Sequence, residues 1–487
     1  MKNQTYDICI VGNGSLAGTL AFRLIQENPS LKIALVGPES RFGSATRAAA
    51  AMFNVWCELA PGHLEDPLFA KRFHLTRSGA ENWTALLEKI SSVTGEKVEP
   101  KWGTYLIKTC RSTEIEENAF RYVEKKVQEN NIEHKKVSPS DLPWLKGMHG
   151  SHVIEAMYIK NDGRVDSRLV LKNLDAANKK LGVEIFNDEV TELKLAKSGF
   201  LRTNSDHEIS TKTGAKISAK NIVLANGAFA QSLIDQNPDI AKEIPRLLFG
   251  IGSGLDVSMP DWVKQYGGLG KEIMDLDAVV RTTDRGGACG VHVVPYGDGK
   301  FYAGASSLTS LTPDFTPTLH ATHFLLEALV NEINRSFFNA NIAFRGVGFR
   351  PTSADTFPLL GETSVKGLWM LNGTKRDGFT MSAYLSLQLA KNILGEAHEL
   401  PQEFKPCRKL ISYKNKEHAI KDAEFMYVGA DAQHGGMSIP YMVDKYREMR
   451  RNEIVKIYDK RNLGDFGIHP ELLHLYENDD FYAKIKQ

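Results

Sequence analysis

Three glycines near the N-terminus stand where a nucleotide could bind. They belong to the segment Gly12-Asn13-Gly14-Ser15-Leu16-Ala17-Gly18. An apolar strand predicted over 7–11 precedes this segment, and an apolar-periodic helix predicted over 15–27 overlaps its end. Glycine lets the backbone approach a pyrophosphate closely, and a helix N-terminus stabilises the negative charge. We therefore predict that this segment, apart from Asn13 and Gly18, binds a dinucleotide; an ordinary tight strand-to-helix turn is the alternative.

The second strand of this unit lacks the acidic residue that would bind the ribose. The strand is predicted over 32–36 and ends at Gly37-Pro38, where a carboxylate would be expected to accept hydrogen bonds from the ribose hydroxyls. Glu39 follows directly and could take that role. We therefore include Glu39 among the candidate cofactor ligands.

A cluster of small residues around one cation comes next. Ser44, Thr46 and Arg47 offer hydroxyl and guanidinium donors to phosphate oxygens, and the alanines of 48–51 would let a helix pack against a flat ligand. An alanine-rich helix packed on a sheet is the alternative, but it does not explain the Ser-Ala-Thr-Arg opening. We interpret these three polar residues as a second part of the nucleotide site.

A second group of motifs lies near the other end of the chain. Gly348-Phe349-Arg350-Pro351 precedes Asp355, Pro358 and Gly361, and these precede Gly373-Thr374-Lys375-Arg376-Asp377-Gly378-Phe379-Thr380. The N-terminal and C-terminal motifs can meet on one ligand only if the chain leaves the nucleotide-binding domain and returns to it. A strand predicted over 219–224, which ends in a turn at Gly227, would complete that domain.

Together these segments resemble the FAD-dependent amine and amino-acid oxidoreductases typified by D-amino acid oxidase, glycine oxidase and sarcosine oxidase. The resemblance covers roughly residues 6–396, and its Gly-x-Arg-Pro pattern followed by Asp, Pro and Gly is specific. It implies a mixed α/β fold: a Rossmann-type FAD-binding domain (1–90, 155–240 and 340–404) interleaved with a β-rich substrate domain (91–154 and 241–339). It also implies removal of a hydride from the carbon bearing an amino group, to give an imine, with oxygen or another acceptor reoxidising the flavin.

The resemblance assigns cofactor contacts at matching positions. The backbone at Val190 would contact the adenine end of FAD, and Ala225, Gly227 and Gly348 would also contact the cofactor. The C-terminal loop would close over the pyrimidine edge of the flavin through Gly373, Arg376, Asp377, Gly378, Phe379 and Thr380.

Three side chains are candidates for the chemistry. Arg350 would anchor a substrate carboxylate with its guanidinium fork, unless it pairs with Asp355 or Glu362 for packing alone. Arg376 would stabilise the anionic reduced flavin, unless it is a solvent-exposed loop residue. His292 lies on a predicted strand, where a structural histidine is favoured over a catalytic base.

The sequence departs from the family at several positions. Asn226 replaces a small residue, Gly37 replaces the ribose acid, and Lys375 adds a cation near the reaction site, where glycine oxidases have an aromatic residue. We count Lys375 as a fourth catalytic candidate. Residues 44–51 contain no histidine or cysteine that could attach the flavin, so we expect non-covalent FAD, with Cys289 as a remote candidate for attachment.

Composition excludes several classes of function. Sixty Lys and Arg balance 59 Asp and Glu, so no global charge attracts nucleic acid or an anionic membrane, and a small, neutral or zwitterionic substrate is expected. The resemblance implies that this substrate is a small-molecule amine or amino acid. Five cysteines without a CxxC pair fit neither a disulfide framework nor a zinc site. No apolar run is long enough to span a membrane. We expect a cytoplasmic protein without a metal.

Residues 405–487 lie outside the resemblance. They are polar and rich in aromatic residues, with a helix predicted over 441–460, a turn at Gly435-Gly436 and too little apolar content to predict an independent core. This C-terminal extension would pack on the body, cover the active site, or contact another copy or a protein partner. A flavoprotein acting on such a partner is one alternative function. A flavin monooxygenase or halogenase is another, but residues 367–373 lack its Gly-Asp motif.

Overall fold

The computed structural model describes residues 4–196, 206–266, 270–285, 290–433 and 443–485, which form two β-sheets and the helices that cover them. The strands are β1 (Gln4–Val11), β2 (Ile33–Val36), β3 (Met52–Phe53), β4 (Lys101–Thr109), β5 (His134–Val137), β6 (Val153–Arg164), β7 (Glu184–Phe186), β8 (Val190–Lys194), β9 (His207–Thr211), β10 (Lys216–Leu224), β11 (Leu247–Ser258), β12 (Val279–Thr282), β13 (His292–Gly297), β14 (Lys300–Gly304), β15 (Leu308–Ser310), β16 (Asn341–Ser353), β17 (Leu359–Glu362) and β18 (Leu368–Asn372).

The helices are α1 (Ser15–Glu27), α2 (Ala45–Ala48), α3 (Pro67–Thr94), α4 (Glu114–Glu129), α5 (Ser167–Lys180), α6 (Ala230–Ile234), α7 (Pro238–Ala241), α8 (Asp261–Tyr266), α9 (Leu319–Ala328), α10 (Gly378–Ile393), α11 (Lys416–Gln433), α12 (Val443–Arg461), α13 (Leu473–Glu477) and α14 (Asp479–Ile485). None of these described helices is both long and apolar enough to cross a membrane.

The first sheet is the nucleotide-binding sheet that the N-terminal pattern predicts. Its strand order is β17-β18-β10-β1-β2-β7, and β8 and β9 extend it beside the start of β10. The strands β18, β10, β1, β2 and β7 run parallel, so their carboxyl ends share one edge. The glycine-rich turn after β1 and Ala225 after β10 meet there, at the edge where open α/β sheets bind ligands.

Both faces of β1 are buried, which explains why its sequence is continuously apolar rather than alternating. Ile8 and Ile10 belong to the cluster that contains Leu20 of α1 and Leu385 of α10. The intervening residues Cys9 and Val11 belong to the cluster on the other face. Helix α1 begins and ends where the sequence predicts.

The second sheet has the order β15-β11-β14-β13-β12-β4-β6-β3, with β16 beside β11 and β5 beside β6. Two segments that the sequence assigns to the FAD-binding domain, 155–164 and 341–353, lie in this sheet as parts of β6 and β16. The strand β16 therefore carries the Gly-x-Arg-Pro motif in the second sheet rather than in the first. After β15 the chain forms α9, followed by a π-helical turn at 329–333 and a 3-10 turn at 335–339.

The C-terminal extension has an apolar core, contrary to the expectation from composition. Its helices bury a cluster that includes Ile420, Tyr458, Leu472 and Leu475, and Leu248 of β11 joins this cluster to the body. Apolar residues too sparse to predict a core are brought together because each short helix contributes only a few of them. The predicted Gly435-Gly436 turn lies outside the described residues.

A buried ion pair ties the segment before the extension to the body. The carboxylate of Asp355, a residue of the family motif, is completely buried and lies 2.8 Å from Nη2 of Arg408. The same carboxylate accepts hydrogen bonds from the hydroxyl of Ser353 and from the backbone N–H groups of Phe357 and Ile411. Asp355 is therefore engaged in fixing residues 405–411 rather than in pairing with Arg350.

We predict that Arg408→Ala destabilises the protein by about 3–5 kcal/mol, because it leaves the Asp355 carboxylate buried without its partner. Urea denaturation of the purified protein measures the loss. Arg77→Ala is the matched control, since Arg77 pairs with Glu81 on the exposed surface of α3 and an exposed pair contributes less than about 1 kcal/mol. Equal losses for the two variants would contradict the structural role of the buried pair.

Candidate active site

A cavity of about 460 Å³ lies between the carboxyl edge of the first sheet and the second sheet. Most residues predicted from the sequence line it: Gly12, Gly14, Ser15, Leu16, Ser44, Thr46, Val190, Ala225, Gly227, His292, Gly348, Arg350, Lys375, Arg376, Gly378, Phe379 and Thr380. Five predicted cofactor ligands are absent from this lining: Ala17, Glu39, Arg47, Gly373 and Asp377. Arg47 instead donates a hydrogen bond from Nη1 to the backbone oxygen of Ser40.

The glycine-rich turn is fixed by a close backbone approach. Gly12 has φ +114°, and a Cβ atom there would lie 2.5 Å from the backbone oxygen of Ala225. Gly14 precedes α1, so no side chain caps the first turn of this helix. A Cβ atom at Gly14 would meet only the Thr46 hydroxyl, at 3.3 Å. Gly12 is thus required by the protein's own backbone, whereas Gly14 keeps the helix N-terminus open toward the cavity.

Position 37, where a ribose-binding acid would be expected, is packed against the side chain of Asn13. A Cβ atom at Gly37 would lie 2.6 Å from the side chain of Asn13, whose amide nitrogen donates to the backbone oxygen of Pro38 at 2.9 Å. Glycine at position 37 therefore makes room for Asn13.

Gly348 lets β16 approach helix α2 closely. A Cβ atom at Gly348 would lie 2.6 Å from Cβ of Ala48, so a larger residue would push the strand away from the helix. This contact places Arg350, two residues further along β16, at the cavity wall. The small residues after Ser44 thus serve strand-to-helix packing.

Three buried polar atoms at the cavity wall have no hydrogen-bond partner within the described structure: Oδ1 of Asn54, Oδ1 of Asn226 and Oγ1 of Thr374. A buried polar atom without a partner costs about 1–3 kcal/mol, so such atoms are usually satisfied by a ligand or by water. The uncapped N-terminus of α10 also faces the cavity through Gly378 and Phe379. These features fit a long ligand with polar groups along its length.

Buried charges at one end of the cavity form an alternating network. Arg281 is 1% exposed and contacts Glu58 at 2.5 Å and Asp284 at 3.6 Å. Arg376 contacts the same Asp284 at 2.9 Å and Glu471 of the C-terminal extension at 2.9 Å. Each cation is compensated because unpaired buried charges are very costly.

The network shifts the ionisation of its members. Burial raises the pKa of Glu58, but Arg281 and Arg376 outweigh it and hold the pKa at about 2. Burial lowers the pKa of Lys375 to about 8, against the opposing effect of Glu471, 3.1 Å away. Lys375 is thus partly neutral at mildly alkaline pH.

Arg350 stands apart from this network. Its Nη1 donates to the backbone oxygen of Ser306 at 3.1 Å, and within the described residues its guanidinium forms no ion pair. The guanidinium lies against Gly252, where a Cβ atom would be 2.3 Å from Nη1. The predicted alternatives, pairing with Asp355 or Glu362, are not formed: Asp355 binds Arg408, and Glu362 accepts from the backbone of Gly367.

His292 is buried and neutral. Its Nδ1 lies 3.1 Å from the backbone oxygen of Gly290, so this nitrogen carries the proton and Nε2 is free to accept. Burial, with a further effect of Arg281, lowers its pKa to about 3. The ring also stacks on Tyr302, with ring centroids 5.7 Å apart. A ring of such low basicity is poorly suited to act as a base at neutral pH.

Several residues of the site were not predicted from the sequence: Asn54, Glu58, Arg281, Asp284, Tyr302 and Glu471. They come from separate loops and strands and form no local motif. Asn226, which departs from the family's small residue, places a buried Oδ1 without a hydrogen-bond partner at the cavity wall. Cys289 lies outside the described residues.

We predict that Gly12→Ala and Gly14→Val act differently. Gly12→Ala strains the backbone and clashes with Ala225, so it should lower stability by about 1–3 kcal/mol or more. Gly14→Val should leave the fold largely intact but remove bound FAD, because the side chain projects from the helix N-terminus toward the cavity. Thermal unfolding and FAD content after acid extraction test this. Full FAD occupancy in Gly14→Val would show that the turn is structural only.

We also predict an acid-dependent loss of stability that originates at His292. Its pKa is lower in the folded protein than the usual 6.5, so the unfolded chain binds more protons between these values. The free energy of unfolding should therefore fall as pH drops below about 6.5, by up to about 1.4 kcal/mol per pH unit from this residue. Urea unfolding of wild type and His292→Gln between pH 5 and 6.5 measures it. Identical slopes would refute the assignment.

Comparison with known proteins places this site in a family. Residues 7–391 match the family described as DAO, FAD dependent oxidoreductase. An uncharacterized oxidoreductase of Bacillus subtilis, YurR, is 23% identical over 80% of this chain and 95% of its own length. Glycine oxidase from Geobacillus kaustophilus shares the fold with a TM-score of 0.67 at 20% identity, covering 84% of this chain and all of the other. Iminodiacetate oxidase from Chelativorans sp. BNC1 has a TM-score of 0.64 at 20% identity, covering 82% of this chain and 98% of the other.

The residues around the cavity fit the FAD of this family. The Gly12 turn and the open N-terminus of α1 would hold the pyrophosphate, while the α10 N-terminus and the 374–380 loop would face the flavin. The chain belongs to the DAO family and is an FAD-dependent oxidoreductase.

Proposed function

We propose that this enzyme oxidises a small amino acid, or a closely related amine that bears a carboxylate, at the carbon attached to nitrogen. When bound, FAD would supply the hydride acceptor, and water would hydrolyse the imine product. Oxygen or another acceptor then reoxidises the cofactor. Two structural neighbours, glycine oxidase and iminodiacetate oxidase, are named for the oxidation of amino carboxylates, which supports this class.

The unpaired guanidinium of Arg350 carries the proposal. The other cations of this end of the cavity, Arg281, Arg376 and Lys375, contact carboxylates of the protein. Among the described residues the guanidinium of Arg350 donates a hydrogen bond only to a backbone oxygen, so it retains donors for the anion of a substrate. A guanidinium binds a carboxylate with two parallel hydrogen bonds, which fixes the orientation of the carbon beside it.

The remaining polar groups suit an amine as the reacting group. His292 presents an unprotonated Nε2 in a buried wall, where it can accept a hydrogen bond but cannot hold a proton at neutral pH. Lys375 and Arg376 supply positive charge at the wall, which favours negative charge that develops during reduction. Arg350 thus holds the substrate, while Lys375 and Arg376 stabilise the negative charge that develops during reduction.

We predict that Arg350→Ala lowers kcat/KM for the best substrate by roughly 30- to 4000-fold, since loss of a charge-assisted, partly buried contact costs on the order of 2–5 kcal/mol. Arg350→Lys should recover only part of the loss, because lysine keeps the charge but not the fork. Anaerobic mixing with a panel of amines and amino acids, followed by flavin bleaching, identifies the substrate and measures the rates.

The FAD spectrum and FAD content of Arg350→Ala are the control and should match wild type. Amines that lack a carboxylate should react with wild type and variant alike, if they react at all. Undiminished amino-acid oxidation in Arg350→Ala, combined with loss of FAD, would assign Arg350 to the cofactor site and remove the main support for the substrate class.

A further inference from the structure

The C-terminal extension places one carboxylate inside the active-site wall. A second cavity of about 170 Å³ adjoins the first, and the two share Asn54, Glu58, Lys375 and Arg376 in their linings. The extension closes this second cavity with Tyr413, Met426, His469 and Glu471. The family match ends at residue 391, so these four side chains lie outside the matched residues.

Glu471 binds both cations of the shared wall. Its Oε1 lies 2.9 Å from Nη2 of Arg376 and 3.1 Å from Nζ of Lys375, and its side chain is only 7% exposed. Burial alone would raise the pKa of Glu471, but Lys375 and Arg376 hold it well below its usual range. Glu471 is therefore a fixed negative charge between two cations.

The fold of the extension fixes the position of this carboxylate. Leu472 and Leu473, which follow it, are buried in the core of the extension. Nε2 of His474 lies 2.7 Å from the backbone oxygen of Thr309, which belongs to β15 of the second sheet. Glu471 thus has little freedom to move away from the wall.

The other groups near the Lys375 ammonium oppose its positive charge. Arg376 and Arg72 repel it, and burial removes its solvation. His469 Nδ1 accepts the backbone N–H of Glu471 at 3.2 Å, so the proton of the neutral ring lies on Nε2, which faces Nζ of Lys375 at 3.4 Å. Three further carboxylates of the second cavity are engaged elsewhere: Asp377 by Arg72, Asp284 by Arg376 and Glu58 by Arg281. Glu471 is the group in contact with Lys375, among the described residues, that favours its charge.

We propose that Glu471 is a positioning residue of the active site, which keeps Lys375 cationic and Arg376 in place and so sets the pH range over which the wall carries two positive charges. The extension is then a working part of the site rather than an accessory domain. This inference rests on FAD binding and not on the proposed substrate.

The midpoint potential of bound FAD between pH 6 and 10 tests the proposal, because positive charge near a flavin favours its anionic reduced form. We expect a plot of the wild-type midpoint potential against pH to show a break, beyond which the potential falls more steeply, at the pH where Lys375 begins to lose its proton. In Glu471→Gln this break should move to lower pH by at least about one pH unit, since a neighbouring opposite charge shifts a pKa by that much. In Lys375→Met the break should be absent.

Glu417→Gln is the matched control, since Glu417 pairs with Arg451 at 2.6 Å on the exposed side of the same extension. Its curve should coincide with wild type. A Glu471→Gln protein with a lower melting temperature but an unshifted break would overturn the proposal and leave a purely structural pair. If Glu471→Gln does not fold, Lys375→Met provides the test, because this variant retains the Glu471–Arg376 pair. A break that persists in Lys375→Met would overturn the proposal. Absence of amine oxidation alone would instead count against the proposed function.

Discussion

The constraint on which this active site depends is the compensation of buried charge. Arg281 and Lys375 are buried and Arg376 is 19% exposed, and the cost of removing these cations from solvent is met by carboxylates within contact distance. Those carboxylates come from three regions: Glu58 from the loop after β3, Asp284 from the end of β12, and Glu471 from the C-terminal extension. The second sheet, the loop before α10 and the extension are therefore held in one arrangement by one network.

Compensation inside the network also defines what the site can bind. Cations that are already paired attract a substrate anion only weakly, whereas the guanidinium of Arg350 keeps its donors. Close packing of glycines produces this difference, because Gly348 brings β16 against α2 and Gly252 leaves space for the guanidinium. The carboxylate specificity that we propose for Arg350 thus depends on these two glycines, which let the backbone pack closely against α2 and against the guanidinium.

The extension lies outside the residues that match the family and packs on the framework that those residues form. Its short helices bury an apolar cluster of their own, and the Asp355–Arg408 pair fixes the segment that leads into it. Asp355 belongs to the family motif, so a residue within the shared framework anchors the part that lies beyond it. Through Glu471 the extension then reaches the same wall that the family loop forms with Lys375 and Arg376.

The sequence by itself determined the features that depend on neighbouring residues. The turn at Gly12, the start of α1 and the presence of Arg350 and Arg376 in the same cavity as that turn could be predicted, because glycine conformation, helix initiation and family motifs are local. The tertiary structure decided the partners of those residues. Asn13 fills the space at Gly37, Glu39 and Arg47 lie away from the cavity lining, and Glu58, Asp284 and Glu471 converge from distant segments. Such charge pairing leaves no local pattern, because only the folded chain brings these side chains within a few ångströms of each other and removes the water between them.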